Sequence, residues 1–143
     1  MKMPWPLTLK SAVVSRDEKE TGERRKLNFG HTFGHALERL TDLNHGEAVS
    51  AGMVIASFLS ARRGYLAWEE VQRIEDLLTK LHLPTRPPTD AEAVLEGLRR
   101  DKKREGGSIH FVLLRKIGQA AVEEIPLPEL EAAFHDFCGS RIT

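Results

Sequence analysis

Three histidines and a run of small and cationic residues are concentrated between Arg24 and Glu47, in the order Arg24-Arg25-Lys26-Leu27-Asn28-Phe29-Gly30-His31-Thr32-Phe33-Gly34-His35, then Glu38 and Asn44-His45-Gly46-Glu47. His31 and His35 are spaced so that a helix carries both on one face, about one turn apart. His45 follows a short polar break and opens a second helix. An imidazole ligates metals and carries protons near neutral pH, so three of them this close predict a metal or proton-transfer site. The competing reading is a set of surface or satisfied core histidines. Gly30 and Gly34 bear on the choice, because glycine within a helix costs about 1 kcal/mol relative to alanine. Two of them flanking His31 predict close approach of another backbone or of a ligand.

The elements that must position these residues are mostly helical. Leu7 to Arg16 reads as a short amphipathic helix and Asp17 to Gly22 as a charged turn. Leu27 to Leu40 is predicted to form the histidine helix. Ala48 to Leu59 is almost continuously apolar, so a helix from His45 to Arg62 is predicted to be central and buried on most sides, with Gly64 as its stop. Trp68 to Leu81 places Val71, Ile74, Leu77, Leu78 and Leu81 on one inward stripe. Leu83 to Pro88 is a proline-stiffened linker, and Thr89 or Asp90 caps a helix that runs to about Arg100. Ile109 to Leu114 reads as a strand, and Ala120 to Ile125 as its hairpin partner across Lys116 to Gln119. Pro128 to Cys138 closes as a helix with Leu130, Ala133, Phe134 and Phe137 inward. The fold class expected is mainly α, a helical bundle over residues 1–143 with one small β-hairpin.

Composition narrows the function classes. The 143 residues suit one domain with its own core. Lysine plus arginine and aspartate plus glutamate both total 21, so no net field favours nucleic acid or an anionic membrane. One cysteine, Cys138, allows no internal disulfide, which fits a reducing compartment. No apolar run reaches the roughly 18 residues of a membrane span, and the first six residues are too short and proline-broken for a signal peptide. A cytoplasmic location is expected.

Lys10, Asp17-Glu18, Glu20, Gly22, Arg24, the Asn28-Phe29-Gly30-His31-Thr32-Phe33-Gly34-His35 block, Glu38 and His45-Gly46-Glu47 together resemble the C-terminal domain of the 3-dehydroquinate synthases. Asp101-Lys102-Lys103, Phe111-Val112-Leu113-Leu114 and Ile117-Gly118 continue the likeness, which runs from about Leu7 to the C-terminus. The resemblance implies a lyase of the shikimate pathway, hence of aromatic amino acid biosynthesis, which uses NAD and a divalent metal (Zn or Co). It cyclises the sugar phosphate 3-deoxy-D-arabino-heptulosonate 7-phosphate to 3-dehydroquinate with loss of phosphate.

By position in the motif, the resemblance assigns His31 and His45 as metal ligands. His35 and Asn28 fall to the substrate phosphate, Lys10 and Arg24 to the substrate carboxylate, and Lys102 or Lys103 to the phosphate. Glu20 falls to the polar end of the site. His35, Lys10 and Arg24 are the catalytic set. Ordinary surface charge is the alternative for Lys102 and Lys103. The family's N-terminal NAD-binding domain, with its glycine-rich turn and its third metal ligand, a glutamate, has no counterpart here; Glu18, Glu20 and Glu23 sit at the wrong position to replace it. The expectation is therefore a C-terminal half, inactive alone and part of a homodimer when whole. Other readings are another sugar-phosphate cyclase, a metal-dependent polyol dehydrogenase of the same superfamily, or a non-catalytic helical interaction module.

Overall fold

The structure, a computed structural model, describes residues 28–104 and 109–139. The helix and turn expected between Leu7 and Gly22 lie outside the described residues, as do Lys10, Glu20 and Arg24.

Helix α1 spans His31–Leu40 and buries Phe33, Gly34, Ala36 and Leu37 as one stripe. It starts at His31 rather than at Leu27, because Gly30 takes the left-handed conformation (φ 84°) at its N-cap. That backbone state is cheap only for glycine, and it ends any helix running through from residue 27. At the other end Thr41 Oγ donates to the Leu37 carbonyl (2.7 Å) and accepts from Leu43 N–H (3.2 Å), turning the chain toward the next helix.

Helix α2, His45–Arg62, opens on a capping box. Asn44 Oδ1 accepts from Glu47 N–H at 2.8 Å, and Glu47 Oε1 accepts from Asn44 N–H at 3.0 Å. Every residue from Ala48 to Ala61 is buried, so this is the central helix its composition predicts. Its buried serines are satisfied by the helix and its neighbours. Ser57 donates to the Met53 carbonyl, and Ser60 donates to Ala56 and accepts from Leu114 N–H, stitching α2 to the hairpin. Gly64 (φ 82°) follows as the stop.

Helix α3, Trp68–Lys80, buries Val71 and Leu78 and half-buries Ile74. The predicted stripe is narrower than expected, since Leu77 and Leu81 are 58% and 49% exposed. Helix α4 spans Ala91–Arg104 and buries Val94, Leu95 and Leu98. It outruns the expected end near Arg100, because neither glycine nor proline lies between Arg100 and Gly106. Asp101, Lys102 and Lys103 therefore ride on its last turn.

Strands β1 (His110–Lys116) and β2 (Gln119–Glu124) pair antiparallel with Val112 opposite Val122, and the turn uses Gly118 at φ 92°. Helix α5, Leu127–Gly139, buries the four residues predicted to face inward. Phe134 stacks on Phe33 (centroids 5.1 Å apart), which meets Phe111 edge-on at 5.9 Å. This aromatic layer fixes α1 against α5 and the hairpin, each buried ring contributing about 1.5–3 kcal/mol of transfer free energy. Among the described residues the architecture is five helices and one two-stranded hairpin, mainly α as expected. No helix of these residues is long and apolar enough to cross a membrane.

Candidate metal and substrate site

The site is built where α1 and α2 begin to pack. Gly34 lies against the backbone of Ala48 and Val49, and Gly52 against Gly30 and Gly34. The partner that the two glycines flanking His31 predict is thus the α2 backbone. Because the glycines let the two backbones come into close contact, His45 at the start of α2 comes level with His31 at the start of α1. Their ring centroids are 5.2 Å apart; His35, one turn along α1, is 5.3 Å from His31 and 6.5 Å from His45.

The three imidazoles are not equivalent. His31 is half-buried, and its Nδ1 is buried without a partner at hydrogen-bond geometry. Its pKa is lowered from 6.5, first by burial and then by the nearby His35, with the backbone at Phe29 and Asn28 offsetting part of this. His35 is exposed. His45 shares a hydrogen through Nδ1 with Glu38 Oε1 at 3.0 Å, and that bond is the main reason Glu38 ionises more readily than a free glutamate.

The lowered pKa of His31 gives a prediction with a definite sign. As pH falls past the ordinary value of 6.5, His31 of the unfolded chain takes up a proton while the native one stays neutral. Its contribution to stability is present above that pH and is lost as pH falls toward the native-state value. Urea unfolding of the metal-free chain between about pH 8 and about pH 5 should show a shallower loss for His31→Asn than for wild type. Equal slopes would remove His31 as the titrating group.

A cleft of about 370 Å³ opens beside His31 and His35, lined also by Asn28, Thr32, Asp101 and His110, with Leu98, Ile109 and Val112 as its apolar wall. Arg39 reaches across from α1 and holds both carboxylate oxygens of Asp101 at 2.8 Å, tying the C-terminal ends of α1 and α4 together. Neither Lys102 nor Lys103 lines the cleft. Glu131 of α5 is held ionised chiefly by its hydrogen bond to Arg99, with Lys102 adding a small part, and Lys103 is exposed. Thr32 and His110 are cleft residues that the sequence reading did not single out. His110 begins a strand, and its alternation with Phe111 is the one signal that could have turned it toward the site. Among the described residues no group of three histidine, cysteine or carboxylate side chains is placed to hold a metal ion.

Comparison with known proteins identifies the family. Residues 5–104, well over half of the chain, match the 3-dehydroquinate synthase C-terminal family. The chain belongs to that family. A 3-dehydroquinate synthase of Halorhodospira halophila is 49% identical over 124 residues, covering 84% of this chain and 35% of the relative. One from Nitrobacter hamburgensis is 47% identical over 147 residues, covering 93% and 38%. The chain thus spans little more than a third of the length of these family members. Among solved structures, the 2-epi-5-epi-valiolone synthase of Streptomyces hygroscopicus, with NAD+ and Zn2+ bound, superposes with a TM-score of 0.72 at 32% identity, over 90% of this chain and 37% of that one. A 2-deoxy-scyllo-inosose synthase complexed with carbaglucose-6-phosphate, NAD+ and Co2+ shares the fold, with a TM-score of 0.73 at 23% identity over 89% of this chain and 38% of that one.

Proposed function

We propose that this chain is the metal- and substrate-binding part of a 3-dehydroquinate synthase. That lyase converts 3-deoxy-D-arabino-heptulosonate 7-phosphate to 3-dehydroquinate and phosphate in the shikimate pathway. The observation that carries the reading is the convergence of His31, His35 and His45, the first two of which line one cleft, in a chain of this family. His31 and His45 fit a divalent cation such as Zn2+ or Co2+. Burial keeps His31 neutral, with a nitrogen that no protein group satisfies, and His45 already has its other ring nitrogen engaged. Two imidazoles make an incomplete set for zinc, so a third ligand is expected outside residues 1–143, as is the NAD-binding domain. When bound, the metal supplies Lewis acidity to the substrate hydroxyl that is oxidised.

The remaining roles rest on the family motif, and for His35 and Asn28 their position at the cleft supports them. His35, exposed at the cleft wall, holds an oxygen of the leaving phosphate and carries a proton to or from it. Asn28, on the same wall, donates its amide hydrogens to that group. Lys10 and Arg24 are assigned to the carboxylate, where a guanidinium fork suits two oxygens. Glu20 is assigned to the polar end of the site. Lys102 or Lys103, on the last turn of α4, is assigned to the phosphate. The complete enzyme is proposed to be a cytoplasmic homodimer, and this chain to be inactive alone.

The test separates this substrate from those of related cyclases. The chain, combined with the NAD-binding domain of a 3-dehydroquinate synthase, NAD and zinc, is expected to release phosphate from the heptulosonate phosphate. It is not expected to act on glucose 6-phosphate, which lacks the carboxylate for Lys10 and Arg24. Preference for glucose 6-phosphate would move the protein to another cyclase.

A further inference from the structure

We propose that Glu38 is a positioning residue for His45: its carboxylate fixes Nδ1 as the protonated ring nitrogen and so leaves Nε2 with a free lone pair for the cation. This deepens the metal-site reading above and rests on it. The geometry is direct, with Glu38 Oε1 3.0 Å from His45 Nδ1. An ionised carboxylate only accepts hydrogen bonds, so the shared hydrogen belongs to the imidazole. A neutral imidazole carries one hydrogen, and placing it on Nδ1 strips it from Nε2.

The positions of the two residues make the pairing specific. Glu38 lies one turn beyond His35 on α1, while His45 is the first residue of α2, held there by the Asn44–Glu47 capping box. The turn between them is set by Thr41. The two side chains are 40% and 50% exposed, and an ion pair that open contributes little to stability. Its consequence is orientation. A histidine whose far nitrogen is anchored by a carboxylate presents a fixed, more basic donor to a metal, whereas an unanchored one divides its time between tautomers and rotamers. His31 has no carboxylate partner; burial, with the backbone at Phe29 and Asn28 beside the ring, restrains it. The two ligands would thus be preorganised by different means, one by packing and one by a hydrogen bond.

Long-range 1H–15N correlation spectra of the 15N-labelled chain, recorded above the imidazole titration, report the tautomer of each histidine. The expected result is Nδ1–H for His45 in wild type, a shift to the Nε2–H form in Glu38→Ala, and retention of Nδ1–H in Glu38→Gln, whose carbonyl still accepts. Zinc affinity, measured by calorimetry on the same proteins, should fall about 10- to 100-fold in Glu38→Ala, the range typical for loss of an outer-shell partner. Glu38→Gln should lie between, with thermal unfolding of the metal-free proteins unchanged. An Nε2–H tautomer in wild type, or a His45 tautomer indifferent to Glu38→Ala, would overturn the proposal. A tautomer shift together with histidine signals that zinc leaves unmoved in wild type would uphold the orientation by Glu38 and remove only the metal assignment.

Discussion

Gly52→Ala is expected to destabilise the chain by about 3 kcal/mol, the upper end of what overpacking usually costs, and to push the His31 and His45 rings apart. A Cβ at position 52 would stand 2.0 Å from the Gly30 carbonyl oxygen and 2.9 Å from Gly34 N, and both are backbone atoms. No flexible side chain can yield, so α1 must move off α2. That contact sets the level of His31 against His45, and the loss of stability and the loss of the site have one cause. Denaturant unfolding measures the first, and the midpoint should fall with the slope kept. Gly97→Ala is the control. The added methyl would meet Ala36 Cβ at an ordinary 3.5 Å, so it should be neutral or stabilise by up to about 1 kcal/mol through helix propensity. A Gly52→Ala protein as stable as wild type would mean that α1 and α2 do not pack as described.

His31→Ala should lower zinc affinity by more than the roughly 100-fold that marks the loss of an outer-shell partner, because it removes a donor outright. Turnover of the reconstituted enzyme should be lost with it. His35→Ala makes the contrast. Its exposed ring is assigned to phosphate, so turnover should be lost while zinc affinity stays within a few-fold of wild type. The pair of variants separates metal from substrate: a large fall in zinc affinity on removing His35 would bring it into the metal shell and make the site a three-histidine one.

How much of this was legible in the sequence varied with the kind of signal. Helix α2 was readable throughout, since a segment apolar on all sides has only a buried place to go, and the structure buries it from Ala48 to Ala61. The inward residues of α5 were equally plain from their periodicity, and the hairpin from its two apolar runs across a short glycine turn. The start of α1 was not, because a glycine looks alike in a helix and in the left-handed state that ends one. Nor was the reach of α4, where a charged run expected to lie past the helix end is its last turn. Leu77 and Leu81 fit an apolar stripe that no neighbour is wide enough to cover.

For the site, spacing alone joined His31 to His35. Bringing His45 to them needed the glycine contacts between helices, a tertiary fact that the glycines signalled without naming their partner. The Glu38–His45 bond and the Arg39–Asp101 clasp depend on side chains meeting across turns and between helices, and no periodicity records that. Lys10, Arg24 and Glu20 rest on the family motif alone, as they lie outside the described residues.

Phosphate release tests the central claim most directly. The chain would be assayed with 3-deoxy-D-arabino-heptulosonate 7-phosphate, NAD and zinc or cobalt, first alone and then with the separately folded NAD-binding domain of a 3-dehydroquinate synthase. The account predicts silence alone and metal-dependent release on mixing, abolished by His31→Ala. No release from the mixture, with both parts folded and associated, would contradict it.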